Sequence, residues 1–141
     1  MLKITVGNLV FQAELEVADA PHTTEGILKL LPISGKLVQA PWCGEAGSLD
    51  MSESGFDLGN SEHESFENHT THPSPGNLVI YPGGFSDPEI LFAYGPAIFA
   101  RRFGNLAGNH FATVTSGGER FKELGRLLQW EGAQEIRIEE A

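Results

Sequence analysis

The sequence predicts a mainly β protein, a closed antiparallel β-barrel with two short capping helices, and three observations carry that prediction. Seven or eight short stretches alternate apolar with polar residues, the period of a strand that buries one face. Only two stretches, one near each end of the chain, place apolar residues at helical spacing. No strand–helix–strand rhythm joins them, which argues against a parallel sheet and leaves a closed barrel as the way to hide the strand edges.

The chain has 141 residues, 40% of them hydrophobic and 20% charged, so a single globular domain over residues 1–141 is expected and a disordered class is excluded. A net charge of −10 would repel a phosphate backbone, so no nucleic-acid partner is expected. The first residues alternate instead of running basic then apolar, and no long uncharged apolar stretch follows; neither export nor a membrane partner is expected. Cys43 is the only cysteine and cannot form an internal disulfide, which suits the cytoplasm. Nine carboxylates and no Lys or Arg fall between Leu37 and Ala100, so one half of the chain carries almost all of the excess charge.

In chain order, Leu2, Ile4 and Val6 share one face and, after Gly7-Asn8, Leu9, Phe11, Ala13, Leu15 and Val17 share another, with Gln12, Glu14 and Glu16 opposite: a β-hairpin. Asp19 stands as an N-cap before Pro21, and Ile27, Leu28 and Leu31 set a helix over 20–31 that Pro32 ends. Residues 33–39 read as a strand. Pro41-Trp42-Cys43-Gly44-Glu45-Ala46-Gly47 has no period and stays unassigned. Residues 52–75 are polar, with Phe56, Leu58 and Phe66 as their large apolar residues, and read as a long acidic loop, the most mobile part of the chain. Strands resume over 77–81, break at Pro82-Gly83-Gly84, and continue over 88–94 with Ile90, Phe92 and Tyr94 on one face, over 98–103 and over 111–115. Ser116 and Glu119 have the spacing of a capping box before Phe121, Leu124, Leu127 and Leu128, a helix over 117–129. Ile136 and Ile138 close the chain as an edge strand.

Ala20-Pro21-His22-Thr23-Thr24-Glu25 after a hairpin resembles the segment that opens the first helix of cyclophilins. Leu30-Leu31-Pro32, Trp42-Cys43-Gly44-Glu45-Ala46, the run from Pro75 through Gly84, and Gly108-Asn109-His110-Phe111-Ala112 together resemble a bacterial family of uncharacterised small proteins with a cyclophilin-like barrel. The resemblance implies a barrel with a cleft on one side. It does not extend to peptidyl-prolyl isomerase activity, because the region of the cyclophilin arginine reads Trp42-Cys43-Gly44-Glu45 and a carboxylate cannot donate to the twisting amide.

The leading expectation is a cleft that binds a small molecule or a peptide, with Trp42, Glu45, Phe85, Tyr94, Arg102 and His110 as its residues. A large ring, a thiol and a carboxylate lie within four residues at Trp42-Cys43-Gly44-Glu45, and His110 starts a strand expected to border the same space. Arg101-Arg102 sends its two guanidinium groups to opposite faces, one of them toward a carboxylate. Glu62, His63, Glu64, His69 and His72 offer metal-ligating groups, but no zinc pattern is present, so neither a metal nor a cofactor is expected. The rivals are an isomerase without the usual arginine, and a structural module that forms a homo-oligomer through an exposed strand or the acidic loop.

Overall fold

A computed structural model describes residues 1–56, 66–84, 86–102 and 104–141. The amino-terminal hairpin follows from its period: β1 (Leu2–Val6) pairs with β2 (Leu9–Leu15), Val6 opposite Leu9. The turn puts Gly7 at φ +57, where a side chain would be strained. Leu2, Ile4, Val6, Leu9, Phe11 and Ala13 are buried and Lys3, Gln12 and Glu14 are exposed, as the alternation requires.

Helix α1 (Pro21–Leu30) starts at Pro21, whose missing N–H costs nothing in a first turn, and buries Thr23, Thr24 and Ile27. Asp19 does not cap it; Ala20 holds that position with no side-chain bond. Next come β3 (Ile33–Gln39), β4 (Gly44–Asp50), β5 (His69–Thr70), β6 (Asn77–Tyr81), β7 (Glu89–Ala97), β8 (Ala100–Arg101), β9 (Gly104–Asn105) and β10 (Gly108–Ser116). Helix α2 (Phe121–Arg126) follows a 3-10 turn at Gly118–Arg120 and runs into a π turn at Leu127–Glu131; β11 (Gln134–Glu140) ends the chain.

Hydrogen bonds order the strands β2-β1-β11-β3-β4-β7-β6-β10, and a further pairing of β2 with β10 closes the ring. The barrel therefore has eight strands, all antiparallel, as the alternating segments predict. Strand β5 adds to β10, while β8 and β9 form a separate two-stranded ribbon.

Four local expectations are corrected. The unassigned stretch after Cys43 is β4, and it lacks a period because Ala46, Gly47, Ser48 and Leu49 are all buried, on both faces. Strand β11 is not an edge, since it lies between β1 and β3 and a closed ring has none. No capping box forms: Gly117, at φ +98, precedes the 3-10 turn, and a Cβ there would come within 2.8 Å of the Val10 carbonyl oxygen. Of residues 98–103, only Ala100 and Arg101 pair as a strand, and Phe103 lies outside the described residues.

The acidic stretch is knit in at both of its described ends. Phe56 packs against Gly26 of α1, and β5 pairs along β10; residues 57–65 lie outside the described residues.

The barrel interior is centred on three rings. Phe11 meets Phe92 edge-on with centroids 5.5 Å apart, and Phe121 of α2 stacks on Phe11 at 5.7 Å, so α2 seals the barrel with an aromatic plug. A second cluster, Cys43, Ala46, Val79, Tyr81, Leu91, Phe99 and Leu106 among its members, lies outside the barrel. Replacing Phe92, fully buried, with Ala is expected to cost about 3–5 kcal/mol in urea unfolding. The exposed Val10→Ala on the outer face should stay within about 0.5 kcal/mol.

Candidate functional site

Strand β7 places the candidate residues, because both of its faces are used. Ile90, Phe92 and Tyr94 point into the barrel, and Glu89 and Leu91 point out of it. Tyr94 lies at the end of the interior where α2 crosses. Its hydroxyl donates to Gln39 Oε1 (2.5 Å) and accepts from Gln129 Nε2 (2.9 Å), so one group ties β7 to β3 and to the turn after α2. Burial pushes the Tyr94 phenol up, so it stays a neutral donor at physiological pH.

Two glycines shape this place. A Cβ on Gly125 would come within 2.6 Å of the Tyr94 ring, so glycine lets the helix lie on the ring. A Cβ on Gly95 would overlap the Glu45 carboxylate, so glycine there lets that side chain lie across β7. The result is a cleft of about 410 Å³ lined by Glu45, Tyr94, Phe121, Lys122, Arg126, Gln129 and Trp130, with the Trp130 ring 82% exposed at its rim. Glu45 and Lys122 have no ion-pair partner among the described residues, and Arg126 only reaches Glu131 at 4.0 Å. The cleft thus offers one carboxylate, two cations, one of them within reach of Glu131, and the exposed face of Trp130.

Trp42 is not in that cleft. It stands outside the barrel, 49% exposed, with the Arg101 guanidinium 5.0 Å above its ring centre. Arg101 in turn ion-pairs with Glu89, which is 2% exposed and also accepts a bond from the Ser48 hydroxyl. Burial pushes the Glu89 carboxyl up, opposed by Ser48 and Arg101, with Asp50 adding to the rise. Cys43 lies beside this pair, its sulfur 3.5 Å from both the N–H and the carbonyl oxygen of Ala100. Burial raises the thiol's pKa, which suits a packed thiol and not a thiolate nucleophile.

His110 is in a third place. The expected parity would set it with Ala112 on an apolar face, but β10 bulges between His110 and Ala112 against β6, so His110 pairs with the outward-facing Val79 while Ala112 is buried. Thr113 donates its single hydroxyl proton to Glu16 Oε1 (2.6 Å), so toward His110 Nε2 (2.8 Å) it can only accept. The Ala112 carbonyl, 3.1 Å away, is an acceptor too, so Nε2 carries the proton in the neutral ring. Next to it, Asn109 donates to Thr23 (3.2 Å) and accepts from the Glu67 backbone N–H (3.3 Å), while the Glu67 carboxylate accepts from the Thr23 N–H, binding the acidic segment to α1.

The structure therefore brings Glu45 and Tyr94 together and separates Trp42 and His110 from them. Glu45 on β4 and His110 on β10 are three strand steps apart, and His110 does not line the cleft that Glu45 and Tyr94 share. Arg102 is exposed in the turn after β8, and Phe85 lies outside the described residues. His69 packs on Phe66 and His72 bonds to Thr71; His63 lies outside the described residues. Among the described residues, no three His, Cys, Asp or Glu side chains converge as a metal site. Likewise among them, no helix is long and apolar enough to cross a membrane.

Lys122, Gln129 and Trp130 were not legible as site residues, although Gly125 inside a helical pattern signals a close approach there. Glu89 had a signal too, an acid within a strand otherwise buried on both faces.

Fold and site together define an eight-stranded antiparallel barrel with a polar, aromatic-rimmed cleft under its carboxyl-terminal helix. The chain belongs to a family described as proteins of unknown function (DUF3830), whose model matches residues 2–140. No curated protein matches it. Among solved structures, that of McbB in complex with tryptophan is similar with a TM-score of 0.76 at 15% identity, covering 99% of this chain and 44% of that one. This chain thus spans less than half the length of McbB. The solution structure of the hypothetical protein AF2241 from Archaeoglobus fulgidus is similar with a TM-score of 0.61 at 18% identity, covering 99% of this chain and 93% of that one. At these identities the likeness is one of fold.

Glu89 gives a pH prediction. Its folded pKa is raised, so between the ordinary carboxylate value and the raised one the folded protein binds more protons than the unfolded chain. Its contribution to stability therefore falls as pH rises through that window. Glu89→Gln cannot ionise, so the melting temperature of the parent relative to this variant is expected to decline from pH 4 toward neutrality. A constant difference across that range would contradict the assignment.

Proposed function

We propose that this protein is a cyclophilin-like barrel that binds a small zwitterionic molecule, an amino acid or the end of a short peptide, in the cleft between β7 and α2. The observation that carries the proposal is the charge layout: Glu45 on one wall, Lys122 and Arg126 on the other, with Arg126 to Glu131 at 4.0 Å the one ion pair among them within the described residues. An ammonium group on Glu45 and a carboxylate on Lys122 or Arg126 would satisfy both walls at once. Trp130 and Phe121 would cover an apolar or aromatic side chain. The tryptophan held by the McbB structure is a ligand of this class and supports the reading by analogy of fold.

The isomerase reading finds no support in the placement of arginine. Although Arg101 reaches the Trp42 segment from elsewhere in the chain, its guanidinium is committed to buried Glu89. A protease-coupled assay on an X-Pro peptide is expected to show no acceleration.

Binding is tested by titrating free L-amino acids while following tryptophan fluorescence, which Trp130 at the rim should dominate. Saturable binding is expected for at least one aromatic amino acid, weakened about tenfold by Glu45→Gln and by Lys122→Ala, about 1.4 kcal/mol each. Both residues are exposed, so the melting temperature of each variant should stay within a few degrees of the parent. Saturable binding that neither substitution weakens would overturn the cleft assignment, and an absence of binding across the set would overturn the ligand class.

A further inference from the structure

We propose that Glu89 and the Trp42 ring form a second recognition site, for an organic cation of the guanidinium or alkylammonium class, and that Arg101 is its resident occupant supplied by the chain itself. A buried carboxylate beside an aromatic face is the pairing that holds such cations elsewhere, one by charge and hydrogen bonding and the other through the ring quadrupole.

The two recognising groups and the occupant have different anchors. Glu89 begins β7, steadied by Ser48 of β4, and Trp42 precedes β4 directly, so both are fixed by the closed barrel. Arg101 comes from β8, a two-residue strand that among the described residues pairs as a strand with β9 alone, takes no part in the ring, and is tied to the Trp42 segment through the Ala100 backbone and Cys43. The occupant also fits incompletely. One guanidinium NH₂ contacts Glu89 Oε1, while the buried Arg101 Nε has no hydrogen-bond partner among the described residues. A free guanidinium ion, unconstrained by a tether, could turn to place two N–H groups on the carboxylate and keep its face on Trp42. Access needs only a side-chain movement, since the Arg101 side chain is 23% exposed and half of Trp42 faces solvent. A carboxylate left buried without a cation is strongly disfavoured, so vacating the place creates a demand for a replacement of that chemistry.

The test replaces the occupant. Arg101→Ala is made with Trp130→Phe, which leaves Trp42 as the sole tryptophan, and is titrated with guanidinium chloride in the low millimolar range against sodium chloride at equal ionic strength. A saturable change in Trp42 fluorescence is expected with guanidinium alone, about tenfold weaker when Arg101 is present to compete. Adding Glu89→Gln should abolish it. If Arg101→Ala is unfolded at neutral pH, circular dichroism gives the same readout: guanidinium should restore folding where sodium does not. A response no different from that to sodium, or one that survives Glu89→Gln, would overturn the proposal. The zwitterion cleft is untouched by either result, because its carboxylate and cations are other residues.

Discussion

The structure depends on one strand being buried on both faces. From Glu89 to Gly95 every residue of β7 is buried, which is unusual in an antiparallel barrel whose strands normally wet one side. The inner face supplies Ile90 and Phe92 to the core, and Phe92 meets the Phe11 and Phe121 rings that hold α2 over the barrel end. The outer face supplies Leu91 to a second apolar cluster under Phe99 and Leu106. A one-residue slip would turn Glu89 into the barrel interior and away from Ser48 and Arg101, so the position of this one acid fixes the register of β7.

That constraint places both proposed sites. Tyr94 and Gly95 end the buried run and form the floor of the cleft and the seat of Glu45; Glu89 starts it and forms the buried anion of the Arg101–Trp42 cluster. The two sites are therefore at opposite ends of one strand. The uneven charge along the sequence is resolved in the same way. Glu45 comes from the stretch without Lys or Arg, and the fold sets it against Lys122 and Arg126 of the carboxyl-terminal helical segment. Arg101, the first base after that stretch, neutralises the buried Glu89.

The architecture was legible because most strands bury one face, so period two marks β1, β2 and β11 without ambiguity. It failed at β4, where small residues are buried on both sides and no alternation exists to read. For the candidate site, the sequence set His110 beside Glu45 and Tyr94 because the order of motifs in the resembled barrel puts their strands along one cleft; in the structure β10 bulges after His110, which pairs with the outward-facing Val79. Single-residue insertions of this kind leave no trace in composition. Arg101 was legible only as one of a pair, one of whose members would meet a carboxylate; which carboxylate depended on the β8–β9 ribbon folding back over β7, a long-range event without a local signal.

The claim that β7 is the frame on which both sites hang is tested most directly by native-state hydrogen exchange, resolved by residue. The amides of residues 90–94 are expected to exchange only through global unfolding, with the slowest rates in the chain, while those of β8 and β9 exchange by local opening. Exchange from β7 faster than from β1 and β11 would contradict the account, since it would mean that the strand opens while the rest of the barrel stays closed.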